Sequence, residues 1–147
     1  MESPNLALLP GHEHLVKDTW ETELYYPDHK QRTESSLYRH NHHHLIVVEK
    51  RGCYVCHRRQ HLETHHFHCE WAFANAVDWD RMKAIHPGFA WDTFHAASDF
   101  IDSVYNLLVL CAEHHRHKDR GIHCMPFPLW QAQRFVRDDF VLFPEQA

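Results

Sequence analysis

A chain of 147 residues, 44% hydrophobic and with five Trp and nine Phe, is sized for one domain around a real core. No stretch nears the roughly 18 continuous apolar residues of a membrane span, and the first residues lack a signal-peptide pattern, so no membrane partner is expected and a soluble, cytoplasmic protein is. The formal charge of −5 excludes a uniformly basic polyanion binder; Lys and Arg gather instead at Lys50-Arg51, Arg58-Arg59 and Arg116 to Arg120.

Residues 1–40 mix Pro, acidic residues and scattered aromatics without a sustained period, which predicts a loosely ordered extension. Leu45-Ile46-Val47-Val48 is short and mostly β-branched and predicts a buried strand, broken by Arg51-Gly52. That glycine suits a tight metal knuckle. His61 to Phe67 alternates as a strand, and the alanines of Glu70 to Val77 favour helix. His86-Pro87-Gly88 marks a turn before a second helical stretch over Trp91 to Asp99. Asn106 to Cys111 is a short apolar run fitting the second strand of a hairpin, and Ala112 to Lys118 predicts a helix that ends near Gly121. Beyond Pro126 and Pro128, an amphipathic helix is expected over Leu129 to Arg137, with Trp130 and Phe135 turned inward. There is no internal repeat and no long linker, so 1–147 reads as one domain.

Five cysteines in a chain without an export signal point to metal thiolates more than to disulfides. Cys53 and Cys56, then Cys111 and His114, are two pairs spaced by two residues. That knuckle spacing lets both members of a pair reach one tetrahedral zinc. His115 competes with His114 for the fourth position, because Cys111 and His115 share a helix face. Cys69 and Cys124 have no such partner and read as packed or free thiols. Of the eighteen histidines, His40 and His42 to His44 read as a polar, solvated segment, whereas His65 and His66 end a strand next to the zinc pair. Neighbouring strand residues face opposite ways, so one of those two imidazoles can be a buried structural group. Trp71, Phe73 and Trp79 recur near helical spacing and read as core.

The order Cys-x-x-Cys, a strand ending in His65-His66, then Asn-Leu-Leu-Val-Leu-Cys-x-x-His-His resembles the His-Asn-His (HNH) endonucleases over Cys53 to about His123, roughly half of the chain. Their usual pattern is an acidic residue or His followed by His, then Asn-Leu-x-x-Leu-Cys-x-x-Cys-His. The resemblance implies an α+β fold: a zinc-stapled ββα-metal finger over 44–123, with a helical insertion over 67–105 and a C-terminal helix and tail over 126–147. It implies His66 as general base and His65 and His115 as ligands of a catalytic divalent metal. Asn106 matches the middle residue of the name and is expected to tie down the loop between the strands.

Cutting a phosphodiester needs a base for water and a cation beside the developing phosphoryl charge, and these residue types supply both. Two ligand positions depart from the family pattern. His114 stands where Cys is common, and His65 stands where many members have Asp. A nitrogen-rich site of this kind suits Mn²⁺, Ni²⁺ or Zn²⁺ as well as Mg²⁺. The forty residues from His66 to Asn106 imply the insertion. His117, Asp119 and His123 are further ligand candidates. The implied substrate is DNA, preferably double-stranded, cut to 5′ phosphate and 3′ hydroxyl ends, and the implied setting is a phage or mobile element. The alternative is a zinc-stabilised module that binds nucleic acid or protein without cutting. A zinc hydrolase or deaminase of small molecules lacks its His-x-Glu before Pro-Cys-x-x-Cys here.

Overall fold

A computed structural model describes residues 26–140; residues 1–25 of the expected extension and 141–147 of the expected tail lie outside the described residues. Ser35 starts the first helix of the described residues, its hydroxyl accepting the Tyr38 N–H at 3.0 Å in place of a missing helical carbonyl. Helix α1 spans Ser36–His43 and runs on through a wider turn, His44–Val48.

Leu45 to Val48 is thus helical where a buried strand was expected, and α1 overlaps residues 36–40 of the segment read as an extension. A buried strand needs a pairing partner and cover for its apolar side chains. Here only Leu45 is buried, while Val47 and Val48 are 54% and 59% exposed. Helical spacing turns Leu45 onto Leu107 and Val109 of the sheet, with Ile46 partly buried beside it. The histidines read as a solvated run are carried by the same helix, and His42 reaches the sheet, its Nδ1 2.9 Å from Thr64 Oγ1.

The sheet has two antiparallel strands, β1 (Leu62–His66) and β2 (Leu107–Cys111), in register from Leu62 opposite Cys111 to His66 opposite Leu107. With a period of two, Glu63 and His65 share one face of β1 and Thr64 and His66 the other. The connection between the strands carries short 3-10 segments at Trp71–Ala76 and Trp91–Thr93 and two helices, α2 (Trp79–Ile85) and α3 (Ala97–Ile101). It has its own aromatic core, with Phe100 and Ile101 fully buried under Trp71, Trp79, Phe89 and Trp91. Phe73 departs from that core and meets the Tyr26 ring at 4.6 Å.

After β2 come α4 (Ala112–Arg116) and α5 (Phe127–Ala132), the latter with a proline in its first turn. Trp130 points inward and is fully buried, packed with Cys53, Val55, Leu110 and Cys111. Phe135 does not point inward, because α5 stops before another turn can present it; it is 72% exposed. Phe127 takes up the aromatic contact instead, 5.8 Å from both Phe67 and Trp130. The described residues thus form an α+β fold, and no helix among them is long and apolar enough to cross a membrane.

Candidate metal centres

Two clusters lie on opposite sides of one helical step, at His114 and His115. The first begins at the knuckle after α1. The Cys53 N–H donates to the Arg58 carbonyl and the His57 N–H to the Cys53 carbonyl, each at 2.8 Å, which curls the chain around the Cys53 and Cys56 thiols. Gly52 is required there: a Cβ would fall 2.3 Å from the His57 carbonyl oxygen. The register of β1 and β2 and the start of α4 bring Cys111 and His114 to the same spot.

Cys56 and Cys111 Sγ are 3.8 Å apart, and His114 Nδ1 is 3.2 Å from Cys111 Sγ and 3.8 Å from Cys53 Sγ. Ligands around a tetrahedral zinc stand roughly 3.4–3.8 Å from one another, from bond lengths of about 2.0–2.3 Å. The donor set therefore fits, and Cys53, Cys56, Cys111 and His114 can hold a metal such as zinc. His114, not His115, completes it. Burial works against a Cys53 thiolate, but the His114 hydrogen bond and nearby backbone N–H groups bring its pKa down to about 6. Burial pushes Cys111 the other way, to about 12, helped by the neighbouring sulfurs. Thiolates this crowded need a dication to be ionised together. The Trp130 indole N–H closes the site from below by donating to the His114 carbonyl at 2.8 Å.

The second cluster is made of imidazoles. His65 on β1, His115 on α4 and His123 after Gly121 bring one nitrogen each within 4.8 Å of the others. Gly121 lets the chain fold back, since a Cβ would lie 2.7 Å from the carbonyl oxygens of His115 and His117. Glu63 sets the tautomer: His115 Nδ1 is 2.6 Å from Glu63 Oε2, and that carboxylate also accepts from Arg116. Burial disfavours the Glu63 charge, but these donors outweigh it and hold the pKa below the ordinary value.

A carboxylate can only accept, so His115 donates from Nδ1 and turns its bare Nε2 to the cluster. His65 Nδ1 stands 3.3 Å and His123 Nε2 3.1 Å from that Nε2. One in-plane lone pair cannot serve two N–H donors well. A shared divalent ion about 2.1 Å from each nitrogen spaces them roughly 3.0–3.4 Å apart. Burial, then the three neighbouring histidines, pushes His65 down to about 3, so its imidazole is neutral and free to ligate.

His66 points to the other face of β1 and lines the same cleft of about 420 Å³ as His65, His115, His123 and Arg32. Its Nε2 is 3.2 Å from Oδ1 of the fully buried Asp102. Asn106, also fully buried, is a clamp: Oδ1 accepts the His68 and Cys69 N–H groups at 2.8 and 3.2 Å, and Nδ2 donates to the Cys69 and Ile101 carbonyls. His117 and Asp119 are outside both clusters; the Asp119 N–H donates to His117 Nδ1. The basic groups picked out in the sequence are largely met by carboxylates, Arg58 and Arg120 by Glu113 and Arg116 by Glu63.

Set against known protein families, curated proteins and solved structures, the chain matches none. Its chemistry has to be argued from these residues. Sequence reading did not assign Glu63, Asp102 or Arg32 a role. For Glu63 a signal was present, two residues before His65 on the same strand face. For Asp102 there was none, since its side-chain partners lie 36, 67 and 70 positions away.

Proposed function

We propose that the chain is a metal-dependent endonuclease of the HNH type, hydrolysing DNA phosphodiester bonds in a ββα-metal finger formed by β1, β2 and α4. The observation that carries this reading is the convergence of three imidazole nitrogens on one point, with a fourth imidazole, His66, lining the same cleft. A three-nitrogen set leaves coordination positions open, as catalytic sites do, whereas the Cys₃His set is closed.

His66 would act as general base. It takes a proton from water; the water oxygen attacks phosphorus, and the bond from phosphorus to the 3′ oxygen breaks. A 5′ phosphate remains on one side, and the departing 3′ oxygen takes a proton from solvent to become a hydroxyl. A divalent ion on the trio, when bound, would supply positive charge beside the phosphoryl and leaving oxygens. Glu63 orients His115, Asn106 holds the loop leaving β1, and the Cys₃His cluster fixes the start of α4. Arg58, Arg116 and Arg120 are ion-paired with carboxylates, which reduces what these three offer to phosphate and so weighs against a module that works by binding alone.

The test is plasmid nicking and linearisation by metal-stripped protein resupplied with Mg²⁺, Mn²⁺, Ni²⁺ or Zn²⁺, beside His66→Ala with its zinc content checked. Metal-dependent cutting that disappears in a folded, zinc-loaded variant supports the reading. Absence of cutting under every metal, or equal cutting by both proteins, overturns it in favour of a non-catalytic zinc module.

A further inference from the structure

Asp102 is fully buried at the end of α3 and accepts from three side chains. Arg32 approaches with both terminal nitrogens, Nη1 2.5 Å from Oδ2 and Nη2 2.9 Å from Oδ1. The Ser35 hydroxyl donates to Oδ2 at 2.7 Å, and His66 Nε2 completes the set at 3.2 Å from Oδ1. Two donors on each oxygen use all of a carboxylate's in-plane acceptor positions and leave no place for a proton. The hydrogen shared with His66 therefore sits on the ring.

The anchors are themselves held. The Arg32 guanidinium lies 4.4 Å from the centre of the Trp71 ring, whose indole N–H donates to the Lys30 carbonyl at 2.6 Å. Asn41 on α1 donates to the Asp102 carbonyl at 2.8 Å. The Tyr38 ring stands 5.7 Å from that of His66 and limits its swing.

We infer that Asp102 is a positioning residue: backed by Arg32 and Ser35, it fixes His66 in the Nε2–H tautomer and so makes Nδ1 the nitrogen that accepts a proton. Among the described residues nothing else engages Nδ1. The assignment rests on the nuclease reading for its consequence, since proton transfer from water would run to Nδ1, but not for its geometry. It also explains why a segment ahead of α1, 70 positions from Asp102 in the chain, is folded back onto the site.

The experiment is a long-range ¹⁵N–¹H spectrum of the histidine rings in zinc-loaded, full-length protein at one fixed pH, with His66 assigned by its loss in His66→Gln. The expected spectrum shows His66 protonated at Nε2 and bare at Nδ1. A wild-type ring protonated at Nδ1, or an even tautomer mixture, overturns the inference without any need for a variant at Asp102. Asp102→Asn removes the obligatory acceptor; the Nδ1–H form should then appear, and kcat for plasmid nicking should fall on the order of 10²-fold or more while KM changes little. Ser35→Ala, which leaves the His66 contact in place, should keep the wild-type tautomer. If the tautomer behaves as expected and no cutting is ever seen, the positioning role stands and the nuclease reading falls. If cutting depends on His66 while its ring is protonated at Nδ1, the reverse holds.

Discussion

His114 and His115 are neighbours on α4, yet they serve clusters that differ in donor type, burial and closure. The Cys₃His cluster has three buried members, Trp130 beneath it and four soft or borderline donors, which suits an ion that is never exchanged. The imidazole trio has no buried member, one of its histidines is exposed, and it opens into a cleft. A single residue step on a helix turns the side chain by about 100°, enough to send one imidazole into the core and the next to the opposite side. The comparison teaches that one short helix can carry a donor of a buried, closed cluster and, one residue on, turn a second imidazole into an open cleft.

The hardest blow to this contrast would fall on the closed site. Structural zinc contributes on the order of 10 kcal/mol to small domains, comparable to the whole stability of a typical protein, so Cys111→Ala or prolonged chelation should abolish the cooperative thermal transition seen by circular dichroism. A variant that melts like wild type with its zinc gone would remove the structural role. Next in size is Asn106→Ala, which removes the buried partner of two N–H groups and two carbonyls. A loss of about 3 kcal/mol in urea unfolding is expected, with one zinc per chain retained.

Glu63→Ala separates the sites more finely. It frees His115 to rotate and should weaken divalent metal binding at the trio roughly 10- to 100-fold by titration calorimetry, leaving the Cys₃His ion in place. Loss of both ions together would show the two sites to be one cooperative unit. The smallest effect is expected at Phe135, which is 72% exposed. Phe135→Ser should stay within about 0.5 kcal/mol of wild type in the same urea experiment and leave both sites intact.

Much of the candidate site was legible because spacing in the chain is a local geometric statement. Cys53 with Cys56 and Cys111 with His114 are close whatever the rest of the fold does, and the two strands that bring the pairs together are marked by alternation and by an apolar run. The choice between His114 and His115 was not legible, since both reach one turn away from Cys111; the fold decided it by placing His114 Nδ1 3.2 Å from Cys111 Sγ and turning His115 to Glu63. Leu45 to Val48 misled because β-branched residues favour a strand only where a partner edge exists, and the Ser35 cap had already committed the chain to helix. Phe135 misled because amphipathic spacing says which face would be buried, not where α5 ends.

By itself, then, the sequence determined the metal knuckle, the hairpin and the pairing of His65 and His66 on opposite faces, all of which follow from periodicity and short spacing. Only the tertiary structure decided that Glu63 orients His115, that His123 returns past Gly121 to join the trio, and that Arg32, Ser35 and His66 converge on Asp102. Those contacts join residues far apart in the chain, and no local pattern encodes which distant side chain will supply a buried carboxylate with its donors.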